Sequence, residues 1–403
     1  MISVAEAIHI VVDKTTTLPT ERVPLDATLA RTLGEDIVAD SDLPPFHRAQ
    51  MDGYALRAAD IVNTPAQLRI VGESIAGRGW HHELQEREAV RIMTGAPVPA
   101  GADTVQQVEL TCELRDGSVV EVQESVTEGK SIVKRGSEVQ AGAVVLRSGV
   151  RINAAMMAAL ASFGYAEVMV GQKPRVAILA TGTELVSVEQ KPGPDQIRDS
   201  NNFSLYAFAQ LAGATVERLP LAGDDIELLK RQISEAAECS DVVITSGGVS
   251  MGRYDFTKNA LQELGAELFF ERVALRPGKP TVFARLPNRT LVFSLPGNPV
   301  SVSVTFNLFA RVALLLMQGA TESTLTKETA IIARDVKGSL DRESYLPAEL
   351  TTNDDGQLVA FPLKWGGSSD FVAFALATGL IIIPAGTTSV HAESIVKVVR
   401  LPE

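Results

Sequence analysis

The sequence has few of the residues that build metal clusters or disulfide frameworks. Only two of its 403 residues are cysteine, Cys112 and Cys239, and none of its five histidines falls in an HExxH pattern. These counts disfavour a zinc site held by histidine and cysteine, and they fit a reducing compartment. We therefore expect a cytoplasmic protein.

Positive charge is also scarce. The chain carries 37 Lys and Arg against 49 Asp and Glu, a formal net charge of −12. This balance disfavours broad contact with nucleic acid or anionic membranes, but it leaves room for a local basic pocket that holds a small anion. The stretch most like a membrane span, residues 300–317, is interrupted by Asn307 and Arg311. We expect a buried helix there and no membrane association.

Motifs of covalent catalysis are missing as well. Ser246 lacks the GxSxG context, and no Ser/His/Asp set or reactive-cysteine set is visible. The glycine-rich loop at Ser246 is not a Walker A motif either, because no Gly-Lys-Ser/Thr follows it. We expect chemistry that depends on positioning and electrostatics rather than on a nucleophilic side chain.

The sequence pattern changes along the chain, which predicts several domains. From residue 38 to about 138, short apolar runs alternate with Gly, Pro and Asp signals, a pattern typical of β-rich structure. From about residue 171 to 319, strands alternate with helices, which predicts a doubly wound parallel sheet. After residue 320, short β-like runs predict a small β-barrel or sandwich.

Small residues stand where three predicted strands of the α/β region end. Such strand ends gather at the carboxyl edge of an open sheet, where ligands bind, and glycines let backbone N–H groups approach an anion. A tight turn without a ligand would use the same residues. The predicted phosphate-binding residues are Thr181, Gly182, Ser246, Gly247, Gly248, Ser250, Pro296, Gly297, Asn298 and Pro299.

Charged side chains accompany these loops. Glu184, Asp225 and Asp255 follow predicted strand ends, and carboxylates beside phosphates suit a hard cation such as Mg²⁺. Asp225 and Asp255 could instead cap the helices that follow.

In the RPGKP loop, Arg276 offers a planar fork of donors and Lys279 offers a point charge, which together suit a tetrahedral oxyanion. The plain alternative is a solvated surface loop.

Several motifs taken together resemble the molybdopterin molybdenumtransferases, the bacterial MoeA family to which the E domains of gephyrin and its plant counterpart belong. The combination of MDGY, MTGAP, SGGVS, PGKP and LPGNP in one chain is highly specific, and the resemblance covers nearly the whole chain in order. The stretches that carry it are AQMDGYAL, RIMTGAPVPAGADTVQQVE, RGSEVQAG, ILATGTEL, DVVITSGGVSMGRYD, RPGKPTVFA and SLPGNPVSVSVTF.

The resemblance implies an α/β multidomain subunit that forms a homodimer. Its active cleft would join the α/β domain of one subunit to the inserted domain of the other. Implied partners are a molybdopterin adenylyltransferase and apo-molybdoenzymes. The implied parts are a doubly wound α/β molybdopterin-binding domain (1–19 and 171–319), an N-terminal linking domain (20–37 and 139–170), an inserted β-rich domain (38–138) and a C-terminal small β-barrel domain (320–403).

The implied reaction has molybdate and adenylylated molybdopterin as substrates. Mg²⁺ helps cleave the adenylate, AMP leaves, and molybdenum enters the dithiolene of the pterin. By motif match, Mg²⁺ would be held by Glu184 and Asp225, and molybdate by Arg276, Lys279 and Ser368. Asp52 and Thr94 would reach across the dimer. The implied catalytic residues are Asp52, Thr94, Glu184, Asp225 and Asp255.

The chain departs from the family pattern at several positions. Arg276 stands where the family often has Lys, Glu138 replaces an Asp, and Pro347 stands where many members carry an Arg. The WGGSSD stretch that contains Ser368 matches only loosely. Three alternatives stay open: a tungstate-preferring transferase, a non-catalytic scaffold or regulator on this fold, and another enzyme on the same α/β domain. The last group, adenylyltransferases and nucleotide hydrolases of the competence-damage type, lacks the combined MDGY, MTGAP and LPGNP set.

Overall fold

A computed structural model describes residues 1–222, 225–248 and 256–402. Its contacts divide the chain into two compact units. The large unit contains residues 1–35, 148–154 and 167 onwards, and the small unit contains residues 36–147 and 155–166. The finer division into four domains stays a prediction.

Six strands form the central sheet of the large unit. In chain order they are β1 (Arg175–Ala180), β2 (Thr215–Arg218), β3 (Val242–Ser246), β4 (Glu267–Arg272), β5 (Pro280–Arg285) and β6 (Leu291–Leu295). Their order in the sheet is β2-β1-β3-β6-β5-β4. The first four strands of this order are parallel, whereas β5 and β4 join the edge antiparallel. The predicted doubly wound sheet is therefore confirmed, with an antiparallel edge that sequence reasoning missed. Only a short turn separates β5 from β6, and short connections cannot join parallel strands.

Helices cover both faces of this sheet. Successive strand residues alternate between faces, so Ile178 of β1 packs in one apolar cluster and Leu179 in the other. The helices are α1 (Val4–Lys14), α2 (Asn201–Leu211), α3 (Ile226–Cys239), α4 (Phe256–Glu263), α5 (Pro299–Thr305) and α6 (Arg311–Met317), with a π turn (Phe306–Ala310) between the last two. The first cluster includes residues of α1, α2, α5 and α6, and the second includes residues of α3 and α4.

The continuous helical run from Pro299 to Met317 is long and apolar enough to cross a membrane. However, 89% of its most apolar window is buried inside the structure. Helices at the centre of globular domains have this same character, and the run lies in the first apolar cluster beside β3 and β6. The prediction of a buried helix is confirmed.

The C-terminal region closes into a five-stranded barrel, because its second strand pairs with both its third and its fourth. The prediction of a barrel or sandwich is thus confirmed as a barrel. A short strand, Leu275–Arg276, adds parallel to the barrel at Glu343 and Ser344, which joins the RPGKP loop to it. The barrel strands are Lys327–Ile332, Glu343–Thr352, Leu358–Pro362, Gly379–Ile383 and Ile395–Arg400.

Smaller elements complete the large unit. Thr20–Pro24 pairs antiparallel with Glu167–Gly171, and Leu185–Val186 pairs parallel with Ile197–Arg198. Beside the barrel, Val336–Ser339 pairs with Thr387–Val390. A 3₁₀ turn (Leu25–Ala27) and a short helix (Phe371–Phe374) are also present.

The small unit is built on a mixed six-stranded sheet, which confirms the β-rich prediction for this part of the chain. A helix, Ala154–Ser162, begins at the boundary of this unit, which includes residues 155–166. Gly164 follows it with a φ of 76°, as is common after the end of a helix. Two short pairs join Arg48–Ala49 to Ile132–Val133 and Ile37–Val38 to Val144–Leu146. The sheet order is Thr104–Gln107, Gly53–Leu56, Glu88–Ile92, Ala66–Ser74, Val119–Val122 and Thr111–Leu114, with 3₁₀ turns at Ala58–Ile61 and Val108–Leu110.

Candidate functional site

The loop after β3 packs closely against the loop after β1. The amide of Thr181 donates to the carbonyl of Ser246 at 2.9 Å. Gly247 and Gly248 have φ of 91° and 68°, a region that favours glycine. A Cβ on Gly247 would lie 2.5 Å from the Thr181 carbonyl oxygen, and one on Gly248 would lie 2.4 Å from Oγ1 of Thr257. Both conformation and packing therefore require glycine, which leaves bare backbone at the strand ends.

These loops line a cavity of about 930 Å³, which we call the strand-end pocket. Every predicted phosphate-binding residue that the structure describes lies on its wall, and so does Glu184. The predicted Ser250 and Asp255 lie outside the described residues. The wall consists of Thr181, Gly182, Glu184, Leu185, Pro192, Gln196, Ile197, Arg198, Asp199, Ser200, Asn201, Ser246, Gly247, Gly248, Phe256, Pro280, Pro296, Gly297, Asn298, Pro299, Ser369 and Phe371.

Two buried polar atoms on this wall have no hydrogen-bond partner among the described residues. They are the hydroxyl oxygen of Ser246, a residue only 2% exposed, and Oδ1 of Asn201. Leaving such an atom unsatisfied costs on the order of 1–3 kcal/mol, so native structures rarely tolerate it without a reason. The Ser246 hydroxyl is free to donate and the Asn201 oxygen is free to accept, so a polar ligand on this wall could pair with either atom.

A second cavity of about 880 Å³, which we call the cationic pocket, adjoins the first and shares Pro280, Pro296 and Asn298 with it. It brings together the three residues predicted to bind molybdate, Arg276, Lys279 and Ser368. Sequence reasoning missed the cations that the barrel region adds to the wall, because they lie far from the RPGKP loop in sequence and no motif marks them. These are Arg334, Lys337, Arg342 and Lys364.

Most of this positive charge is not neutralised locally. Arg276 donates from Nη1 to the Gly338 carbonyl at 3.0 Å, and Arg342 pairs with Asp341. The carboxylate on the described wall, Asp335, accepts from the Ala392 amide and from His391, and these hydrogen bonds, the amide first, lower its pKa. Among the described residues, no acid pairs with the remaining cations, which are Lys279, Arg334, Lys337 and Lys364.

Asn298 and Ser368 join the two pockets. Nδ2 of Asn298 donates to Oγ of Ser368 at 2.8 Å, and the Val300 amide donates to the Ser368 carbonyl at 3.0 Å. Asp370 braces the same loop, because its carboxylate accepts from the amides of Gly366 and Ala373. These two hydrogen bonds, Gly366 first, lower the pKa of Asp370. The loop that carries Ser368 is thus fixed against the LPGNP turn.

The predicted metal ligands occupy different environments. Glu184 is exposed on the strand-end pocket, whereas Asp225 lies on neither pocket wall as described. Oδ1 of Asp225 accepts from the amides of Glu227 and Leu228 at 2.9 and 3.1 Å, so this residue caps α3, as one of the two sequence readings expected. Sequence reasoning missed the buried Asp199, which lines the strand-end pocket and accepts from the Asn202 amide at 3.1 Å.

Asp52 and Thr94 meet in the small unit. The strands that follow Asp52 and precede Thr94 are antiparallel neighbours, with Gly53 opposite Ile92. Oδ1 of Asp52 accepts from both the amide and the hydroxyl of Thr94, each at 2.7 Å. These bonds, the amide first, hold the pKa of Asp52 below its usual value. The MDGY and MTGAP motifs therefore form one structural feature with an exposed, ionised carboxylate.

Comparison with known proteins covers almost the entire chain. Three family models match it: the MoeA N-terminal region (domain I and II) at residues 2–164, a probable molybdopterin binding domain at 177–315, and the MoeA C-terminal region (domain IV) at 329–401. A relative from Bacillus subtilis, named molybdopterin molybdenumtransferase, is 37% identical over 391 residues, which are 95% of this chain and 90% of the relative. The chain belongs to the molybdopterin molybdenumtransferase family.

Further relatives agree with this assignment. A molybdopterin molybdenumtransferase of Staphylococcus aureus is 35% identical over 402 residues, 99% of this chain and 95% of the relative. The crystal structure of the molybdopterin biosynthesis protein MoeA from Pyrococcus horikoshii OT3 superposes with a TM-score of 0.85 at 28% identity and covers 100% of both chains. In this molybdenumtransferase-family chain, the glycine loops fall within the molybdopterin-binding match, and the additional cations fall within the C-terminal match.

Proposed function

We propose that this family member inserts molybdate into adenylylated molybdopterin and releases AMP with the help of Mg²⁺, as a step of molybdenum cofactor biosynthesis. The observation that carries the proposal is that a glycine-lined pocket and a strongly cationic pocket adjoin and share three residues. One suits a phosphate-linked organic substrate and the other a small oxyanion, which are the two substrates of this reaction.

The cationic pocket accounts for the oxyanion. Molybdate is a tetrahedral dianion, and Arg276 with Lys279 presents a fork of donors and a point charge. Pro347 lines this pocket, and the family resemblance implies that many members carry an arginine near this position. We propose that the barrel cations, Arg334 and Lys364 among them, supply the charge that this arginine would have given.

The strand-end pocket accounts for the adenylylated pterin. Gly247 and Gly248 expose backbone next to the unpartnered hydroxyl of Ser246, which can donate to a phosphate oxygen. Neither described pocket wall contains a cysteine, and both Cys112 and Cys239 are free and exposed elsewhere. The sulfurs that receive molybdenum would therefore be those of the substrate's dithiolene.

The donor set is compatible with Mg²⁺ only if substrate phosphates complete the site. No group of three His, Cys, Asp or Glu residues with metal-binding geometry occurs among the described residues. Mg²⁺ is commonly held by one or two carboxylates together with substrate phosphates, and Glu184 lies where phosphates would bind. Asp225 caps α3 through Oδ1, so only its second oxygen is available. When bound, Mg²⁺ would neutralise charge that develops on the phosphates.

Residues of this chain would bind and orient the two substrates. Lys279 and Arg276 would hold the oxyanion, the glycine amides and Ser246 would hold the phosphates, and the Asn298–Ser368 hydrogen bond would fix the shared wall. No side chain would become covalently attached to substrate. Positioning and electrostatic stabilisation would carry the rate.

The quaternary and cellular parts of the proposal follow from the family resemblance. We propose a cytoplasmic homodimer in which Asp52 and Thr94 serve an active site of the partner subunit. The ionised state of Asp52 and its rigid attachment to Thr94 are compatible with such a role. The substrate would come from a molybdopterin adenylyltransferase, and the product would pass to apo-molybdoenzymes.

The test is reconstitution with purified components. The protein is incubated with adenylylated molybdopterin, molybdate and Mg²⁺, and both AMP and the activation of an apo-molybdoenzyme are measured. The proposal expects AMP release and activation together, each dependent on molybdate and Mg²⁺. Tight substrate binding without AMP release would favour the alternative of a non-catalytic scaffold protein. Consumption of ATP with free molybdopterin would favour an adenylyltransferase.

A further inference from the structure

We propose that Ile197 and Phe371 form a subsite that holds a flat, nitrogen-rich ring in the strand-end pocket. This inference rests on the proposed function, because adenylylated molybdopterin carries two such rings, the bicyclic adenine and the planar pyrimidinone ring of its reduced pterin. It extends that function by assigning ring recognition to two apolar side chains in separate segments of the large unit. We call this pair the ring subsite.

The exposure of these two side chains is the first observation. Ile197 is 59% exposed and Phe371 is 52% exposed, and both lie on the wall of the strand-end pocket. A single exposed apolar side chain is ordinary, but two on the wall of one concave pocket indicate a contact surface. The described wall of the adjoining cationic pocket has no large apolar side chain exposed to this degree.

The backbone that carries both side chains is fixed. The Ile197 amide donates to the Glu184 carbonyl at 2.8 Å in the short parallel strand pair. Phe371 follows Asp370, whose carboxylate accepts from the Gly366 amide of its loop and from the Ala373 amide of the short helix, and that loop is attached to α5 through Ser368. A surface arranged before binding loses little conformational entropy when a ligand arrives.

The chemistry of the neighbouring atoms fits a nitrogen-rich ring. Aromatic side chains stack on flat heterocycles, and aliphatic ones pack against their faces. Asn201 on the same wall has a buried Oδ1 without a partner among the described residues, and Nδ2 of the same side chain donates to the Gly297 carbonyl at 2.8 Å. Adenine and pterin each carry an exocyclic amino group, which is the donor that this acceptor lacks.

Equilibrium binding tests the ring subsite without any turnover. Calorimetric titrations of AMP, ribose 5-phosphate and 6-hydroxymethylpterin are made with the wild type, Phe371→Ala, Phe371→Trp and Ile197→Ala. Leu376→Ala is the matched control, because Leu376 is 70% exposed a few residues further on and lies on neither described pocket wall. Melting temperatures of all variants check that they fold.

We expect Phe371→Ala to weaken binding of a ring compound by roughly ten-fold, as for a lost base-stacking contact. Ile197→Ala should weaken it less, Phe371→Trp should retain it, and ribose 5-phosphate should bind all variants alike. Selective loss of AMP would assign the subsite to adenine, and selective loss of 6-hydroxymethylpterin would assign it to the pterin.

Three results would overturn the inference. They are a wild type that binds neither ring compound better than ribose 5-phosphate, a Phe371→Ala variant with unchanged affinity for both, and an equal loss in Leu376→Ala. Failure of the proposed function looks different. In that case the ring compounds would bind and depend on Phe371, yet no molybdenum would be transferred.

Discussion

The two pockets of the large unit share Pro280, Pro296 and Asn298, yet they differ sharply in charge. The cationic pocket has six Lys and Arg side chains and one carboxylate on its described wall. Among the described residues, the wall of the strand-end pocket has a single arginine, Arg198, whose Nε donates to the Val188 carbonyl, together with Glu184 and Asp199. An acidic chain thus gathers six cationic side chains on one described wall, and bare backbone and apolar side chains lie beside it. The contrast indicates two subsites for chemically unlike substrates of one reaction.

The largest expected effect is the loss of activity when a charge is removed from the cationic pocket. Lys279→Ala should lower molybdate-dependent AMP release by about 10²–10³-fold, since a preorganised charge on an oxyanion is lost. Binding of AMP should change little, because Lys279 is absent from the described wall of the strand-end pocket. Lys397→Ala is the matched control, because Lys397 is an exposed residue of a barrel strand and lies outside both described walls. Equal losses of molybdate response and AMP affinity would contradict the separation of the pockets.

The next largest effect is a loss of AMP binding when the backbone of the strand-end pocket is disturbed. Gly247→Ala should weaken AMP binding by roughly ten-fold or more and lower the melting temperature, because its Cβ would meet the Thr181 carbonyl at 2.5 Å. Gly356→Ala serves as control, since Gly356 has a φ of 78° but nothing within 4 Å of an added Cβ. If the two variants bind AMP equally well, close packing at Gly247 does not shape the pocket.

Smaller effects are expected from the barrel cations. Arg334→Ala and Lys364→Ala should each raise the KM for molybdate several-fold, because both side chains are exposed and solvent screens their charge. The effects should shrink as the salt concentration rises. A kinetic titration of molybdate at two ionic strengths measures this. Unchanged KM values would mean that these two cations do not contribute to molybdate binding.

The smallest effect separates two roles of Asp225. Asp225→Ser keeps a helix-capping oxygen, whereas Asp225→Ala removes it and should cost about 1 kcal/mol of unfolding free energy. A metal role predicts that both variants need more Mg²⁺ for AMP release, although only the alanine variant melts earlier. Should Asp225→Ser behave as the wild type in both assays, the residue is a helix cap and no metal ligand.

The α/β region could be predicted well because its signals are local. The buried strands at Val242–Ser246 and Leu291–Leu295 end in glycine and proline turns, and the sheet gathers those turns at one edge. The cations at Arg334 and Lys364 could not be found in the same way. They reach the RPGKP loop only because Leu275–Arg276 pairs with a barrel strand, a long-range contact that no local pattern encodes.

The ring subsite could not be predicted from local sequence patterns either. Ile197 and Phe371 lie in short segments far apart in sequence, and each alone is an ordinary exposed side chain. Asp225 illustrates a different case, because the residue types that cap helices are also metal ligands. The sequence left both roles open for it; the hydrogen bonds from the Glu227 and Leu228 amides confirm the helix cap, and the metal role stays a prediction.

The measurement that tests the two-pocket account most directly is the rate of AMP release from adenylylated molybdopterin as a function of molybdate concentration. The wild type should show release that rises with molybdate and saturates, at a fixed Mg²⁺ concentration. Lys279→Ala should bind the adenylylated substrate with nearly the same affinity but lose the molybdate dependence. AMP release that is fast without molybdate, and unchanged by Lys279→Ala, would contradict the claim that the two pockets act in one reaction.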